Sequence, residues 1–449
     1  MPTDSRSIKK LRLLPLAAVI FFTVSGGPYG LEPLFIYAGK NGALVLLLAT
    51  PLLFDIPTIF TVMELNGMMP VSGGYYQWVK RALGMRMAFY EGWWTWLYTF
   101  VDLAIYPVMF ITYAAYFFPA AAMYKIPICL FIIWFSAFIN ILGVVPVGRI
   151  SLILGVVVVT PFILLCIIGV MHHKSTYSMP AMSLKGLGIS SIGMGLYTVM
   201  WNFLGWDNAT TYAEEVDNPV RTYLISTSIA FVAVMVIYFF TVLTSVQSGI
   251  NLATVAAEGF PALGKFIGGN WLGGMLAAGG MACMLGLYSA VLLSVSRVPK
   301  AMADDGLMPK KLEALHPKYG SPYMSILVCS VVVSSMIVLS FKELLIMDVT
   351  LYGAGLMLEF TSLIVMRIKA PDEYRPFKIP LNVLGLCVMV LLPLIVYGTA
   401  VTGAFLDSGK GTLMPLLLTL GIIVSSEIIW QLIIWLNPDV KFRAKQTQV

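Results

Sequence analysis

An apolar stretch near the amino terminus is interrupted by glycine, proline and a carboxylate. Two apolar half-runs, Leu13 to Val24 and Leu31 to Ala38, flank the sequence Ser25-Gly-Gly-Pro-Tyr-Gly30, and Glu32 follows it. Together the half-runs are long enough to cross a bilayer. A continuous lipid-facing helix could not contain this interruption, because each unpaired N–H or C=O group in hydrocarbon costs several kcal/mol. The backbone at the interruption must therefore open toward protein or water.

A second interruption, Trp201-Asn-Phe-Leu-Gly-Trp-Asp207, lies where a second half of the chain would repeat the first. A single Pro/Gly kink is common in membrane helices and indicates little by itself. Two interruptions in corresponding places are typical of secondary transporters, whose half-helix ends bind substrate near the middle of the membrane. The sequence therefore predicts discontinuous first and sixth helices with a ligand site between them.

The composition indicates an all-α polytopic membrane protein. Of the 449 residues, 59% are hydrophobic and only 11% are charged. The apolar runs continue for about 20 to 30 residues, as spanning helices require, whereas the strands of a transmembrane barrel are alternating segments of ~10 residues. No small-residue cleavage site follows the first apolar run, so we interpret it as a retained helix.

Twelve transmembrane helices are predicted from the apolar runs. They lie near residues 12-38, 43-68, 89-118, 127-146, 150-171, 191-213, 222-247, 271-295, 322-341, 345-367, 381-404 and 413-436. When alternate loops are assigned to one side of the membrane, most of the 28 Lys and Arg residues fall on that side. Both termini are therefore expected on the cytoplasmic side of a plasma or inner membrane. The net charge of +6 is then a topology signal, and no nucleic-acid partner is expected.

The spans divide into two sets of five and a remainder. The first repeat covers residues 12-171 and the second covers residues 191-367. Because five is odd, the second set starts from the opposite side of the membrane, and the sets form an inverted repeat if they share a fold. Residues 381-436 add two further spans as an appendix.

Carboxylates inside the predicted spans are the candidates for proton coupling, because His172, His173 and His316 all fall in predicted loops. The candidates are Glu32, Asp55, Asp102 and Asp207. Ionisable groups at such depth face a cavity or a partner, and structural pairing remains the alternative for each of them. Glu64, near the end of the second span, is expected to pair with a cation or a backbone donor. The five cysteines are widely spaced in apolar spans and indicate no metal site, and no cofactor is expected.

An ordered set of motifs resembles one superfamily of transporters. The motifs are Ser25-Gly-Gly-Pro-Tyr-Gly-Leu-Glu32, Pro70-Val-Ser-Gly-Gly-Tyr75, Asp102-Leu-Ala-Ile-Tyr-Pro107, Trp201 to Asp207, Glu214-Glu-Val-Asp-Asn-Pro219, Gly306-Leu-Met-Pro309 and Tyr374-Arg-Pro-Phe-Lys-Ile-Pro380. Together they resemble the amino acid, polyamine and organocation transporters, nearest the polyamine proton symporters and the L-type amino acid transporters. The resemblance covers nearly the whole chain and implies the five-plus-five inverted-repeat fold of the sodium-coupled leucine transporters.

The resemblance also implies a substrate site at the two interruptions. In relatives that carry amino acids, N–H groups of the first interruption hold the substrate carboxylate, and carbonyls of both interruptions hold its ammonium. By that resemblance the carboxylate would meet Ser25, Gly26 and Gly27. The ammonium would meet the carbonyls of Thr23, Trp201 and Leu204, with Trp201 also serving as an outer gate. The predicted substrate-binding set further includes Gly30, Asp102, Asn202, Phe203, Gly205 and Asp207.

The expected function is secondary active transport of an amino acid by alternating access, with protons as coupling ions and a neutral amino acid as the favoured substrate. Polyamine members of the superfamily carry acidic residues in the eighth span, where this chain has Tyr288 to Val295 without an acid. A polyamine proton symporter, an amino acid exchanger and a non-transporting amino acid sensor remain alternatives. An enzyme is not expected, because no nucleophile and base or metal cluster is evident. A requirement for a single-span accessory subunit stays open.

Overall fold

The computed structural model describes residues 10–172, 179–337, 341–407, 413–437 and Val440, and His173 lies outside them. The first helices are α1 (Leu13–Val24), α2 (Leu34–Thr50), α3 (Ile56–Met68), α4 (Tyr75–Leu83), α5 (Met85–Ala114), α6 (Lys125–Ile141), α7 (Val144–His172) and α8 (Ile189–Trp201). The others are α9 (Pro219–Gln247), α10 (Leu252–Glu258), α11 (Phe260–Gly268), α12 (Asn270–Val295), α13 (Arg297–Asp304), α14 (Tyr323–Met336), α15 (Phe341–Lys369), α16 (Val383–Leu406) and α17 (Leu413–Leu436). A π-helical segment, Pro51–Asp55, joins α2 to α3, and short 3-10 segments lie at Pro119–Tyr124, Asn208–Glu215 and Lys310–Glu313.

Nine helical stretches of the described residues are long and apolar enough to cross a membrane. The predicted spans outside this set are the first, the sixth and the ninth. Helices α1 and α8 have only 12 and 13 residues, because each ends at an interruption. Helix α14, in the ninth predicted span, has 14 residues. The described helices thus account for nine of the twelve predicted spans by length and composition alone.

The first and second predicted spans meet at Gly39. This residue has φ 62° and ψ −169° inside α2, a conformation that glycine adopts without steric cost. Residues 34–38 therefore form a separate short helical piece after the first interruption. This piece completes the first predicted span, and the remainder of α2 continues into the second.

The most buried helices surround the two interruptions. In the spanning windows, 83% of the α12 residues and 78% of the α5 residues are buried, whereas only 17% of the α17 residues are. Helix α12 packs against α7, α5, α11 and α1, and α15 packs against α5. Helices α5, α12 and α15 therefore form the interior of the bundle, and α17 lies at its periphery with an apolar surface suited to lipid.

One end of the bundle, called here the N-face, is the end at which α1 and α5 begin and α3 and α15 end. The Leu11 N–H donates to the Glu215 carbonyl at 2.9 Å, and the Asp217 N–H donates to the Leu11 carbonyl at 2.9 Å. Arg297, which is 3% exposed, donates from Nε to Glu215 Oε1 at 2.9 Å. The two backbone bonds tie the chain before α1 to the segment that follows the second interruption, and Arg297 ties that segment to the start of α13.

A second ion-pair network lies at the N-face. Both Arg367 and Arg375 contact the Glu64 carboxylate, and the Ile379 N–H donates to Glu64 Oε2 at 2.8 Å. The prediction that Glu64 pairs with a cation or a backbone donor is therefore confirmed. Because the ion pairs are buried, this network fixes the end of α3 against the end of α15.

Candidate functional site

The two interruptions open toward one buried cavity. The backbone is irregular between α1 and α2 and again between Trp201 and the 3-10 segment Asn208–Glu215. The cavity is narrow in this conformation, with room for about one water molecule. Its walls are formed by Thr23, Val24, Ser25, Tyr98, Asp102, Tyr106, Trp201, Asn202, Leu204, Gly205, Asn208, Leu287, Asp348 and Tyr352. The interruptions predicted from glycine and proline therefore coincide with the places where backbone meets the cavity.

Seven of the predicted substrate-binding residues line this cavity: Thr23, Ser25, Asp102, Trp201, Asn202, Leu204 and Gly205. The five others lie outside its lining: Gly26, Gly27, Gly30, Phe203 and Asp207. A Cβ atom on Gly26 would lie 2.7 Å from Cys283 Sγ on α12, and one on Gly27 would lie 2.8 Å from Val158 Cγ1 on α7. These two glycines therefore permit close packing against neighbouring helices.

The N–H groups of the first interruption are bonded within the protein. Those of Ser25 and Gly26 both donate to the Phe21 carbonyl at 2.9 Å. The Gly27 N–H donates to Ser25 Oγ at 3.0 Å. The donors that the resemblance assigns to a substrate carboxylate are thus engaged in this conformation.

Two carboxylates from opposite helices line the cavity. Asp102 of α5 is 7% exposed, and both its oxygens lie 2.6 Å from the Tyr106 hydroxyl, which donates to the carboxylate. Asp348 of α15 is 2% exposed, and its Oδ1 has no hydrogen-bond partner among the described residues. The two carboxylates interact electrostatically, and none of the cavity-lining residues is Lys or Arg. The cavity is therefore negatively charged when these groups are ionised.

Sequence reasoning missed Asp348, although a signal for it was available. Asp348 is an acid inside the predicted tenth span, residues 345-367, and charges at such depth usually serve a site. What the sequence does not contain is the pairing of the third span with the tenth, which brings Asp348 to Asp102.

Aromatic rings form much of the remaining wall. The Tyr106 and Trp201 rings lie 6.4 Å apart between centroids at 30°, and the Tyr98 and Tyr352 rings lie 5.5 Å apart at 89°. The faces of such rings attract ammonium groups through their quadrupoles. Trp201 also contacts Asp102 and lies against Gly30 of the first interruption. Its role as a gate stays a prediction.

Tyr238 of α9 joins the two interruptions and was not identified from the sequence. Its hydroxyl lies 2.7 Å from Ser25 Oγ and 3.0 Å from the Gly27 carbonyl. It also lies 3.2 Å from both the backbone oxygen and the side-chain oxygen of Asn202. The end of α1 and the end of α8 are thereby held by one side chain.

The other predicted proton-coupling residues differ in their surroundings. Glu32 accepts hydrogen bonds from the Gly30 N–H at 2.6 Å and from the Tyr113 hydroxyl at 3.0 Å, so it holds the first interruption against α5. Asp55, in the π-helical segment, is fully buried and lies outside the cavity lining. Asp207 accepts a hydrogen bond from the Tyr352 hydroxyl at 2.7 Å, directly behind the cavity wall. Within the described ranges, no group of three or more His, Cys, Asp or Glu side chains is arranged to hold a metal ion.

Comparison with known proteins gives one family and several curated relatives. A profile of the family described as amino acid permease matches residues 11–425. The chain is 32% identical to polyamine transporter RMV1 of Arabidopsis thaliana over 395 residues, which cover 87% of this chain and 80% of the relative. It is 31% identical to polyamine transporter PUT1 of Oryza sativa subsp. japonica over 399 residues, covering 88% and 73%. Branched-chain amino acid permease BcaP of Bacillus subtilis (strain 168) is 26% identical over 348 residues, covering 71% and 72%.

The profile match includes both interruptions and every helix that lines the cavity. The many apolar helices and the relatives agree that this is a multi-pass integral membrane transporter. The resemblance to the amino acid, polyamine and organocation superfamily is confirmed, and this chain belongs to its amino acid permease family.

Proposed function

We propose that this protein is a proton-coupled symporter of polyamines such as putrescine or spermidine. The observation that carries the proposal is the cavity itself. Two buried carboxylates, Asp102 and Asp348, line it from opposite helices, and no basic side chain is among the lining residues. A ligand with two ammonium groups would compensate both charges.

The energetics of burial favour a cation over a zwitterion. A buried charge without a partner is costly, so two carboxylates facing one small cavity require a cationic occupant or protons. A zwitterion would satisfy one carboxylate with its ammonium and bring a third carboxylate into the same space. The N–H groups of Ser25, Gly26 and Gly27 that would receive that third group already donate to Phe21 and Ser25.

This proposal revises the substrate favoured from the sequence. The preference for a neutral amino acid depended on the lack of acid in the eighth span. Asp348 of the tenth span supplies a second carboxylate to the cavity, opposite Asp102. The names of the two plant relatives, which are 31% and 32% identical to this chain, also support a polyamine.

We further propose twelve spans in the inverted-repeat fold, with repeats at 12-171 and 191-367 and an appendix at 381-436. The support is that α1 and α8 both end at an interruption and that both interruptions meet the same cavity. The N-face and both termini would be cytoplasmic, because Lys80, Arg81, Lys310 and Lys311 lie in segments at that end.

The test is uptake by the purified protein in proteoliposomes with an imposed pH gradient. Labelled putrescine or spermidine should accumulate and labelled leucine should not. Asp348→Asn should lower the apparent affinity for the polyamine about a hundredfold or more, because breaking a buried charge pair costs several kcal/mol.

Asp372→Asn is the matched control, since Asp372 is an exposed carboxylate in the loop between α15 and α16. It should leave uptake unchanged. Accumulation of leucine by the parent protein, with no binding of putrescine or spermidine, would refute the polyamine proposal and support the neutral amino acid.

A further inference from the structure

A second group of carboxylates lies between the cavity and the N-face. This acid cluster consists of Glu91 on α5, Asp207 at the end of the second interruption and Glu359 on α15, which are 1%, 3% and 1% exposed. Glu91 precedes Asp102 by eleven residues and Glu359 follows Asp348 by eleven residues. Eleven residues are about three helical turns, so each glutamate lies on the same helix face as its aspartate, roughly 16 Å nearer the N-face.

The acid cluster lacks a counter-charge. Glu91 Oε2, Glu359 Oε2 and the Tyr75 hydroxyl are buried and have no hydrogen-bond partner among the described residues. The titratable groups that face the cluster from the surrounding helices are Tyr75 on α4, Tyr98 on α5, Tyr223 on α9 and Tyr352 on α15. None of the described groups found to interact with the cluster is Lys, Arg or His. Three buried carboxylates in such surroundings must bind positive charge.

Tyr352 connects the acid cluster to the cavity. Its side chain lines the cavity, its hydroxyl donates to Asp207 Oδ1 at 2.7 Å, and it accepts from the Gly205 N–H at 3.3 Å. Asp207 in turn lies beside Glu359, and these two carboxyl groups can share a proton. A chain of hydroxyl and carboxyl groups can conduct a proton. An alkylammonium group, in contrast, cannot pass the cavity wall that Tyr352 helps to form. The connection therefore favours a proton as the occupant of the cluster.

We propose that the acid cluster is the proton-coupling site of the transporter, and that it is separate from the carboxylates that bind substrate. This inference rests on the proposed function. Tyr352 gives its proton to Asp207, which breaks the Tyr352 O–H bond and forms an O–H bond on Asp207, and a hydronium ion in the cavity reprotonates the Tyr352 oxygen. The proton on Asp207 then passes to Glu359 or Glu91 and leaves to water as hydronium at the N-face, so the three carboxylates are restored. Substrate charge is balanced at Asp102 and Asp348, and the driving proton is held in the acid cluster.

The test compares two assays on the same proteoliposomes, with the membrane potential clamped at zero. Counterflow of labelled putrescine at equal pH measures binding and alternating access without net proton movement. Accumulation in a pH gradient measures coupling, and a gradient of one unit drives up to about tenfold accumulation per coupled proton. Glu359→Gln and Glu91→Gln should retain counterflow and lose accumulation, whereas Glu359→Asp, which keeps a titratable carboxyl group, should retain both.

Glu258→Gln, at an exposed position on α10, is the control and should retain both activities. Asp102→Asn should lose counterflow, which separates failure of the substrate site from failure of coupling. If the parent protein carries leucine in place of putrescine, the polyamine proposal fails and the same assays with leucine still test the cluster.

Three results would overturn the inference. The first is pH-driven accumulation by both glutamine variants at the level of the parent protein. The second is loss of counterflow by either variant at an unchanged melting temperature, which would make the cluster part of the substrate site. The third is accumulation driven by a sodium gradient at equal pH that Glu359→Gln abolishes. Should both glutamine variants fail to fold, the pH dependence of accumulation by Glu359→Asp decides. A shift of that pH dependence with unchanged counterflow supports the inference, and the same pH dependence as the parent protein refutes it.

Discussion

Replacing Tyr238 by Phe tests whether the bridge between the two interruptions controls substrate binding. The change removes one hydroxyl and keeps the ring, which packs edge-to-face on Phe203 with centroids 5.1 Å apart. Ser25, Gly27 and Asn202 then lose their common partner. The end of α1 would no longer be tied to the end of α8.

The expected loss of affinity follows from the number of hydrogen bonds that the Tyr238 hydroxyl makes, since one hydroxyl donates only one hydrogen bond at a time. The same oxygen can also accept a hydrogen bond from the Ser25 hydroxyl, so the loss is at most two buried bonds and not four. A buried acceptor left unsatisfied costs about 1–3 kcal/mol. The Ser25 hydroxyl can turn to one of the freed acceptors, which keeps the cost near the middle of this range. A cost of about 2 kcal/mol corresponds to a loss of affinity of roughly 30-fold.

The assay is equilibrium binding of labelled substrate to the purified protein, together with its thermal unfolding. Tyr223→Phe is the matched control, because Tyr223 is on the same helix and its hydroxyl donates to the Trp206 carbonyl at 3.1 Å, in the second interruption alone. Tyr238→Phe should raise Kd, while Tyr223→Phe should affect only the melting temperature. Equal falls in melting temperature with unchanged Kd in both variants would show that Tyr238 only packs the core.

Two further perturbations test other parts of the structure. Glu64→Gln should lower the free energy of unfolding by about 3–5 kcal/mol in thermal melts, because Arg367 and Arg375 would stay buried without their carboxylate. Arg81→Gln, which breaks the more exposed pair with Glu373, should cost no more than about 1 kcal/mol, and equal effects would contradict the argument. Gly30→Ala should abolish uptake, since φ is +94° and its Cβ would overlap the Trp201 ring, whereas Gly421→Ala, in the regular helix α17 with no atom within 4 Å of its Cβ, should retain uptake.

The positions of the two interruptions could be predicted because their causes are local. Glycine at positive φ and proline without an N–H end a helix wherever they cluster, whatever surrounds them. Helix α1 ends at Val24 and α8 ends at Trp201, at the edges of the glycine-rich and polar stretches seen in the sequence. The ion pairing of Glu64 was also predictable, because a carboxylate near the end of a membrane span needs a partner.

The role of Gly26 and Gly27 shows where the local argument ends. From the sequence, these glycines leave room for backbone to approach a ligand. In the structure their missing side chains leave room for Cys283 of α12 and Val158 of α7. A motif indicates that a glycine is needed, whereas the neighbour that requires it comes from tertiary packing.

The two groups of carboxylates have one structural origin, which is the antiparallel register of α5 and α15. The Tyr98 ring packs edge-to-face on the Tyr352 ring, so these residues lie level with each other. Four residues on from Tyr98 is Asp102, and four residues back from Tyr352 is Asp348. Seven residues in the opposite directions lead to Glu91 and Glu359.

Because both helices rise by the same 1.5 Å per residue, equal steps in opposite chain directions stay level. The Tyr98 and Tyr352 contact therefore places Asp102 opposite Asp348 in the cavity and Glu91 opposite Glu359 near the N-face. The sequence contains both acid spacings but not the register that aligns them. Once one contact between the two helices is known, both paired acid sites follow from helix geometry alone.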